Sequence, residues 1–187
     1  MMNELSNNHI RNSRMFLNEV YFWTDTIKDW KYLLNENRYK DLIIEQLQWL
    51  KKKGKINVYG FVIMPNHMHI IWEMVERNGK EMPYASFNKW TSSQFLKELR
   101  ISAPSVLPQF IEITNERNHR FWQRDPLAIL MDTKDKLEQK LEYIHLNPLQ
   151  DHWNLVTLPD KYLWSSSKFY ETGIDDFGFL THYMERF

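Results

Sequence analysis

The chain has 187 residues, enough for one globular domain, and 43% hydrophobic residues, which supplies a core and excludes wholesale disorder. It has no cysteine, which excludes disulfides, thiolate metal sites and cysteine nucleophiles, and no apolar run nears the roughly 20 residues needed to span a bilayer. Lys and Arg balance Asp and Glu at 24 each, with acid in excess after residue 125, so a strong non-specific grip on duplex nucleic acid is not expected.

Residues 1–17 are polar and Asn-rich with no apolar h-region, and are expected to form a flexible arm before a single domain over 18–187. Asn18–Ile27 is aromatic and β-branched, and predicts a strand. Arg38–Lys53 carries Tyr39, Leu42, Ile43, Leu47 and Leu50 at helical spacing, and its three closing lysines and Gly54 form a stop signal. Ile56–Met64 and His67–Val75 predict two strands, and the short Pro65-Asn66 break between them makes an antiparallel hairpin. A second helix is predicted over Tyr84–Arg100, then an irregular stretch over Ile101–Arg120, then a strand at Leu127–Met131. Thr133 caps a third helix with Asp135 in its first turn, and Pro148 ends it after Asn147. The remainder, with Trp153, Trp164 and Tyr170, is expected to pack as irregular turns and short helices. Strand, helix, strand, strand, helix, strand, helix is the order of an α+β ferredoxin-like sandwich: an antiparallel sheet with helices on one face, plus an additional helix.

Three constellations carry chemistry. His67 and His69 alternate along a strand, so their imidazoles share a face and can converge on one cation. Apolar neighbours make two unpaired imidazoles costly there, although a bare His-x-His is as readily a pair of partly exposed strand histidines. Tyr143 and Asn147 lie about 40° apart on the third helix, off the stripe of Leu137, Leu141 and Ile144 and beside Lys136 and Lys140. An exposed tyrosine shielding the helix flank is the plain alternative. Phe121-Trp122-Gln123-Arg124-Asp125, preceded by Arg117, His119 and Arg120, interleaves aromatic and basic groups as single-stranded nucleic acid sites do.

The run Tyr59-Gly60-Phe61-Val62-Ile63-Met64-Pro65-Asn66-His67-Met68-His69-Ile70-Ile71-Trp72 resembles the signature of the single-tyrosine HUH transposases. Leu141-Glu142-Tyr143-Ile144-His145-Leu146-Asn147-Pro148 resembles the YIHxNP element of their REP-associated tyrosine transposase branch. The Phe121–Asp125 block and Tyr162-Leu163-Trp164-Ser165-Ser166-Ser167 resemble further blocks in the same order, so that the similarity spans roughly Val20 to Tyr170. The resemblance implies a single-strand DNA endonuclease and strand-transferase acting near hairpins through a 5′-phosphotyrosine. It implies Tyr143 as nucleophile, His67, His69 and Asn147 as ligands of Mg²⁺ or Mn²⁺, and single-stranded or hairpin DNA as partner. Lys140, Lys136, Arg120, Arg124, Trp122 and Lys89 are the DNA-binding candidates. A cytoplasmic, nucleoid-associated protein with no membrane association is expected, acting singly or as a homodimer. A domesticated hairpin-binding protein that does not cut, and a metal-dependent phosphoester hydrolase, are the alternatives. The chain departs from the family after Pro148, where Leu149-Gln150-Asp151-His152-Trp153 stands in place of a small, Gly-containing turn; residues 79–120 have no clear counterpart, and the neutral charge is low for the family.

Overall fold

The computed structural model describes residues 14–112 and 118–187. Its frame is a four-stranded antiparallel sheet in the order β2-β3-β1-β4, built from β1 (Val20–Thr26), β2 (Ile56–Ile63), β3 (His67–Met74) and β4 (Leu127–Leu130). The helices are α1 (Asn37–Lys52), α2 (Pro83–Ser102), α3 (Lys134–Leu146) and α4 (Ser167–Thr172). This is the expected ferredoxin-like α+β sandwich, with α3 as the additional helix and a short α4 beyond it.

Strand periodicity divides the sheet into two faces. Tyr21, Trp23 and Asp25 of β1 pair with Trp72, Ile70 and Met68 of β3, and this face is covered by α1 and α2. Trp23 stacks on Trp72 at 4.8 Å, Phe87 of α2 meets Trp23 edge-on at 5.9 Å, and Tyr39 of α1 meets Phe95 of α2 at 5.7 Å. These rings bury large apolar areas in favourable offset or edge geometries, and they form the centre of the core. The other face carries Phe22, Thr24 and Thr26 of β1, His67, His69, Ile71 and Glu73 of β3, and Gly60 and Val62 of β2.

On that second face lies α3. Thr133 Oγ1 accepts from the Lys136 N–H, so the predicted cap is present, and Leu137, Leu141 and Ile144 are buried against the sheet. Gly60 sets how closely the helix approaches: a Cβ there would come within 2.5 Å of Leu141 Cδ1 and 3.2 Å of Ile144 Cδ1.

The open edge of β2 is covered by distant chain. Ile63 N–H donates to Trp164 O and Ser166 N–H to Phe61 O, both at 2.9 Å, and further along Thr181 N–H donates to Val58 O. The Tyr162–Ser167 block thus serves as an added edge, followed by the short α4.

Of the arm expected over 1–17, residues 1–13 lie outside the described residues, and Met15 is buried in the core. The irregular stretch after α2 contains a 3-10 segment, Pro104–Phe110, which buries Phe110 against Phe121 at 4.8 Å. Arg117 of the basic cluster lies outside the described residues.

Candidate metal and nucleophile site

His67 and His69 stand side by side on β3, ring centroids 4.8 Å apart, on the face that α3 covers. They are not the partly exposed pair that a bare His-x-His suggests, being only 7% and 5% exposed. Each Nδ1 is already engaged. His67 Nδ1 lies 2.7 Å from Asn66 Oδ1, while the Asn66 amide nitrogen donates to Trp30 O at 3.3 Å, which fixes which way the amide faces. An amide oxygen only accepts, so His67 carries its proton on Nδ1 and leaves the Nε2 lone pair free. His69 Nδ1 meets the Thr24 hydroxyl at 2.7 Å, which can accept in the same way, and His69 Nε2 is buried with no hydrogen-bond partner.

An orphaned buried ring nitrogen is costly and asks for a partner. Burial, aided by nearby His152, pushes His67 down to about 4. Burial, followed by the influence of His67 and Lys140, holds His69 well below the usual histidine range. Both rings are therefore neutral at pH 7, the form that can ligate a metal, and each Nδ1 partner fixes its ring as the outer contact of a metal-binding imidazole would. The donor set thus fits a divalent cation. Among the described residues no group of three His, Cys, Asp or Glu side chains could hold an ion, so a site here needs an amide, water or phosphate oxygen to complete it.

Tyr143 is carried to this pair by α3. Its ring centroid lies 5.4 Å from that of His69 and 6.2 Å from that of Phe22, and the residue is 42% exposed, off the buried stripe as its helical phase requires. Lys140, one turn earlier, holds its ammonium 5.4 Å from the Tyr143 ring and 5.0 Å from that of Phe22, with no carboxylate partner among the described residues. Asn147 is buried where α3 passes into a 3-10 turn, one helical turn beyond Tyr143. His145, between them, points away to a different task. Its Nε2 lies 2.9 Å from Ser166 Oγ, which also accepts from Phe61 N–H, so the helix is tied to β2.

The remaining DNA-binding candidates divide. Lys136 shares α3 with Tyr143 but pairs with Asp132 at 2.6 Å. Lys89, Arg120 and Arg124 line a cleft of about 1350 Å³ along α2, on the opposite side of the sheet, and each is paired with an acid: Lys89 with Glu81, and both arginines with Glu112. Trp122 is a correction. It is 4% exposed, its indole N–H donates to Thr91 Oγ1, and its ring packs against Phe87 and Phe95, so it is core and offers no face to a base. Its motif looked like a stacking site because the cross-strand bridge that turns the ring inward, Ile27 with Trp122, is invisible in a linear reading.

Sequence reasoning missed Thr24 and Asn66 as partners of the histidines, and Trp30 and Trp153 as their neighbours. Asn66 carried a signal, directly preceding the pair; Thr24 needed the β1–β3 register.

Fold and site together define a ferredoxin-like sandwich whose α3-covered face brings a neutral histidine pair against a helical tyrosine. No family model matches this sequence, and no curated protein matches it. Among solved structures the chain is similar to a REP-associated tyrosine transposase bound to a REP hairpin, with a TM-score of 0.58 and 16% identity over 88% of this chain and 87% of that one. At that identity the likeness is one of fold. No helix among the described residues is long and apolar enough to cross a membrane.

Proposed function

We propose that this chain is a metal-dependent single-strand DNA endonuclease and strand-transferase of the REP-associated tyrosine transposase kind, acting near DNA hairpins through a 5′-phosphotyrosine. The observation that carries the reading is the meeting of two neutral, buried imidazoles, one with an orphaned Nε2, with the exposed phenol of Tyr143 at 5.4 Å between rings. A fold shared with a transposase that holds a REP hairpin supports it.

A divalent ion, Mg²⁺ or Mn²⁺, held by His67, His69 and Asn147, would supply Lewis-acid stabilisation of the charge that grows on the scissile phosphate. Tyr143 Oη attacks phosphorus, the Oη–P bond forms as the P–O3′ bond breaks, the phenolic proton passes to solvent, and the departing 3′-oxygen takes one up. The bond energy is retained in the phosphotyrosine, so a new 3′-hydroxyl can reverse the step and rejoin strands. Lys140 stands beside the phenol, where its charge can meet a phosphate oxygen. Asn66 and Thr24 hold the two rings in the required tautomer and orientation.

The test is a denaturing gel of protein mixed with labelled hairpin oligonucleotides bearing randomised single-stranded flanks, with Mn²⁺. A covalent protein–DNA adduct that disappears in Tyr143→Phe is the expected result. Cleavage that survives Tyr143→Phe would make water the nucleophile and the chain a hydrolase; hairpin binding with no adduct under any metal would leave a binding protein.

A further inference from the structure

On the side of the histidine pair away from Tyr143, three aromatic side chains gather. Trp30 meets the His67 ring at 6.2 Å, Trp153 meets it at 5.8 Å, and Tyr32 lies 5.9 Å from Trp153. Trp30 and Tyr32 are 57% and 63% exposed, a large apolar area left in water directly beside the least accessible polar groups of the site. The backbone that presents Trp30 is strained, since Asp29 and Trp30 are consecutive non-glycine residues with φ of 56° and 57°. The strain is held by Trp30 N–H donating to Ile27 O, by the Lys31–Asp29 ion pair, and by the Asn66 amide on Trp30 O. The same backbone bend therefore projects the indole outward and fixes the tautomer of His67. Trp153 lies four residues beyond the 3-10 turn Asn147–Leu149 that follows α3.

The rings occupy a definite order: Tyr143 against His69, His69 beside His67, and then Trp30 and Trp153 against His67. Phosphoryl transfer to a tyrosine is in line, so the attacking and leaving oxygens lie on opposite sides of phosphorus. A phosphate seated over the histidines and attacked from the Tyr143 side must release its 3′-oxygen toward the aromatic rim.

We propose that Trp30, Trp153 and Tyr32 form a stacking platform for the unpaired base of the nucleotide that departs with the 3′-hydroxyl. The inference rests on the tyrosine-transferase reading and deepens it. The platform keeps the cut end in place after the P–O3′ bond breaks, so that the 3′-hydroxyl is either held for resealing or released by unstacking.

The experiment uses the oligonucleotide that forms the adduct, titrated against the protein in EDTA so that binding is measured without cleavage. Trp30→Ala and Trp153→Ala are each expected to weaken binding about tenfold, the effect of losing one base–aromatic stack; Tyr32→Ala and Trp30→Phe, at exposed positions, should be milder, and circular dichroism checks folding. An abasic site on the 3′-hydroxyl side of the scissile phosphate should weaken wild-type binding equally and cost Trp30→Ala nothing more. One on the 5′-phosphate side should add its penalty in both. Wild-type affinity in all the ring variants, or non-additivity with the 5′-side abasic site instead, overturns the platform while the adduct still upholds the tyrosine. Absence of an adduct from every oligonucleotide removes the transferase reading and the platform with it.

Discussion

Gly60→Ala tests whether the distance between α3 and the sheet governs the site. The added Cβ would lie 2.5 Å from Leu141 Cδ1 and 3.2 Å from Ile144 Cδ1, against an ordinary carbon–carbon separation of about 3.5–4.0 Å. Both atoms are terminal methyls, so a rotamer change can relieve one of them, but the two lie on successive turns of one buried stripe and relieving both moves the helix by about 1 Å. Overpacking of this kind costs about 1–3 kcal/mol, or about 2–12 °C in Tm for a chain this size. The same displacement shifts Tyr143 relative to His69, and a misplacement of about 1 Å can cost on the order of 100-fold in rate. Urea unfolding followed by tryptophan fluorescence reads the first effect, and the rate of adduct formation with a hairpin oligonucleotide reads the second. Leu141→Ala in the Gly60→Ala background vacates the space of the tighter clash, so it should restore part of the rate even though it removes a buried side chain. A Gly60→Ala protein with unchanged Tm and unchanged rate refutes the idea that this close approach sets the geometry of the phenol.

Four further outcomes are expected. Mn²⁺ should raise the Tm of the wild-type protein by differential scanning fluorimetry and leave that of His67→Ala and His69→Ala unmoved, while both variants lose cleavage and keep hairpin binding; equal loss of binding would mark the histidines as structural. In EDTA, stability should fall as pH drops from about 6.5 to about 4, because the unfolded chain takes up protons that His67 and His145, both pushed down to about 4 by burial, refuse in the fold. Asp25 works in the opposite sense: burial raises its carboxyl to about 8, so folding is progressively penalised as pH climbs from about 4 to about 8, and Asp25→Asn should lift the Tm measured at pH 8.5 above wild type by about 2–4 °C or more. Ser166→Ala removes the hydroxyl shared by His145 and the Phe61 N–H; a loss of about 1–3 kcal/mol in urea unfolding is expected, and an unaltered midpoint would show that the tie bears no load.

The elements were legible because their signals are local: the apolar stripe of α1, the Pro65-Asn66 break, the Thr133 cap and the 2-residue spacing of the histidines all lie within a few residues of one another. The convergence of Tyr143 on His69 was legible only through the motif resemblance, since 74 positions separate them and nothing in periodicity brings α3 to the histidine face. Pairing across the fold decided what was missed. Thr24 reaches His69 because β1 and β3 run in one particular register, and a shift of one residue would have turned it to the opposite face. Trp122 was misjudged for the same reason. The neutral charge that sat awkwardly with a nucleic-acid partner has a physical form in Arg120 and Arg124 sharing Glu112 and in Lys89 facing Glu81: the cations exist, but the protein answers most of them internally.

The covering of β2 by Trp164–Ser166 and Thr181 has a consequence for biosynthesis. The β2–β3 hairpin, apolar along most of its length, is made about a hundred residues before the chain that shields its rim, so during translation its unpaired amides face the cell. A nascent or prematurely terminated product ending near Pro159 would carry the histidines and the tyrosine yet present a bare strand to its neighbours. Such products should collect in inclusion bodies, which makes the stretch from Tyr162 onward a built-in safeguard against self-association.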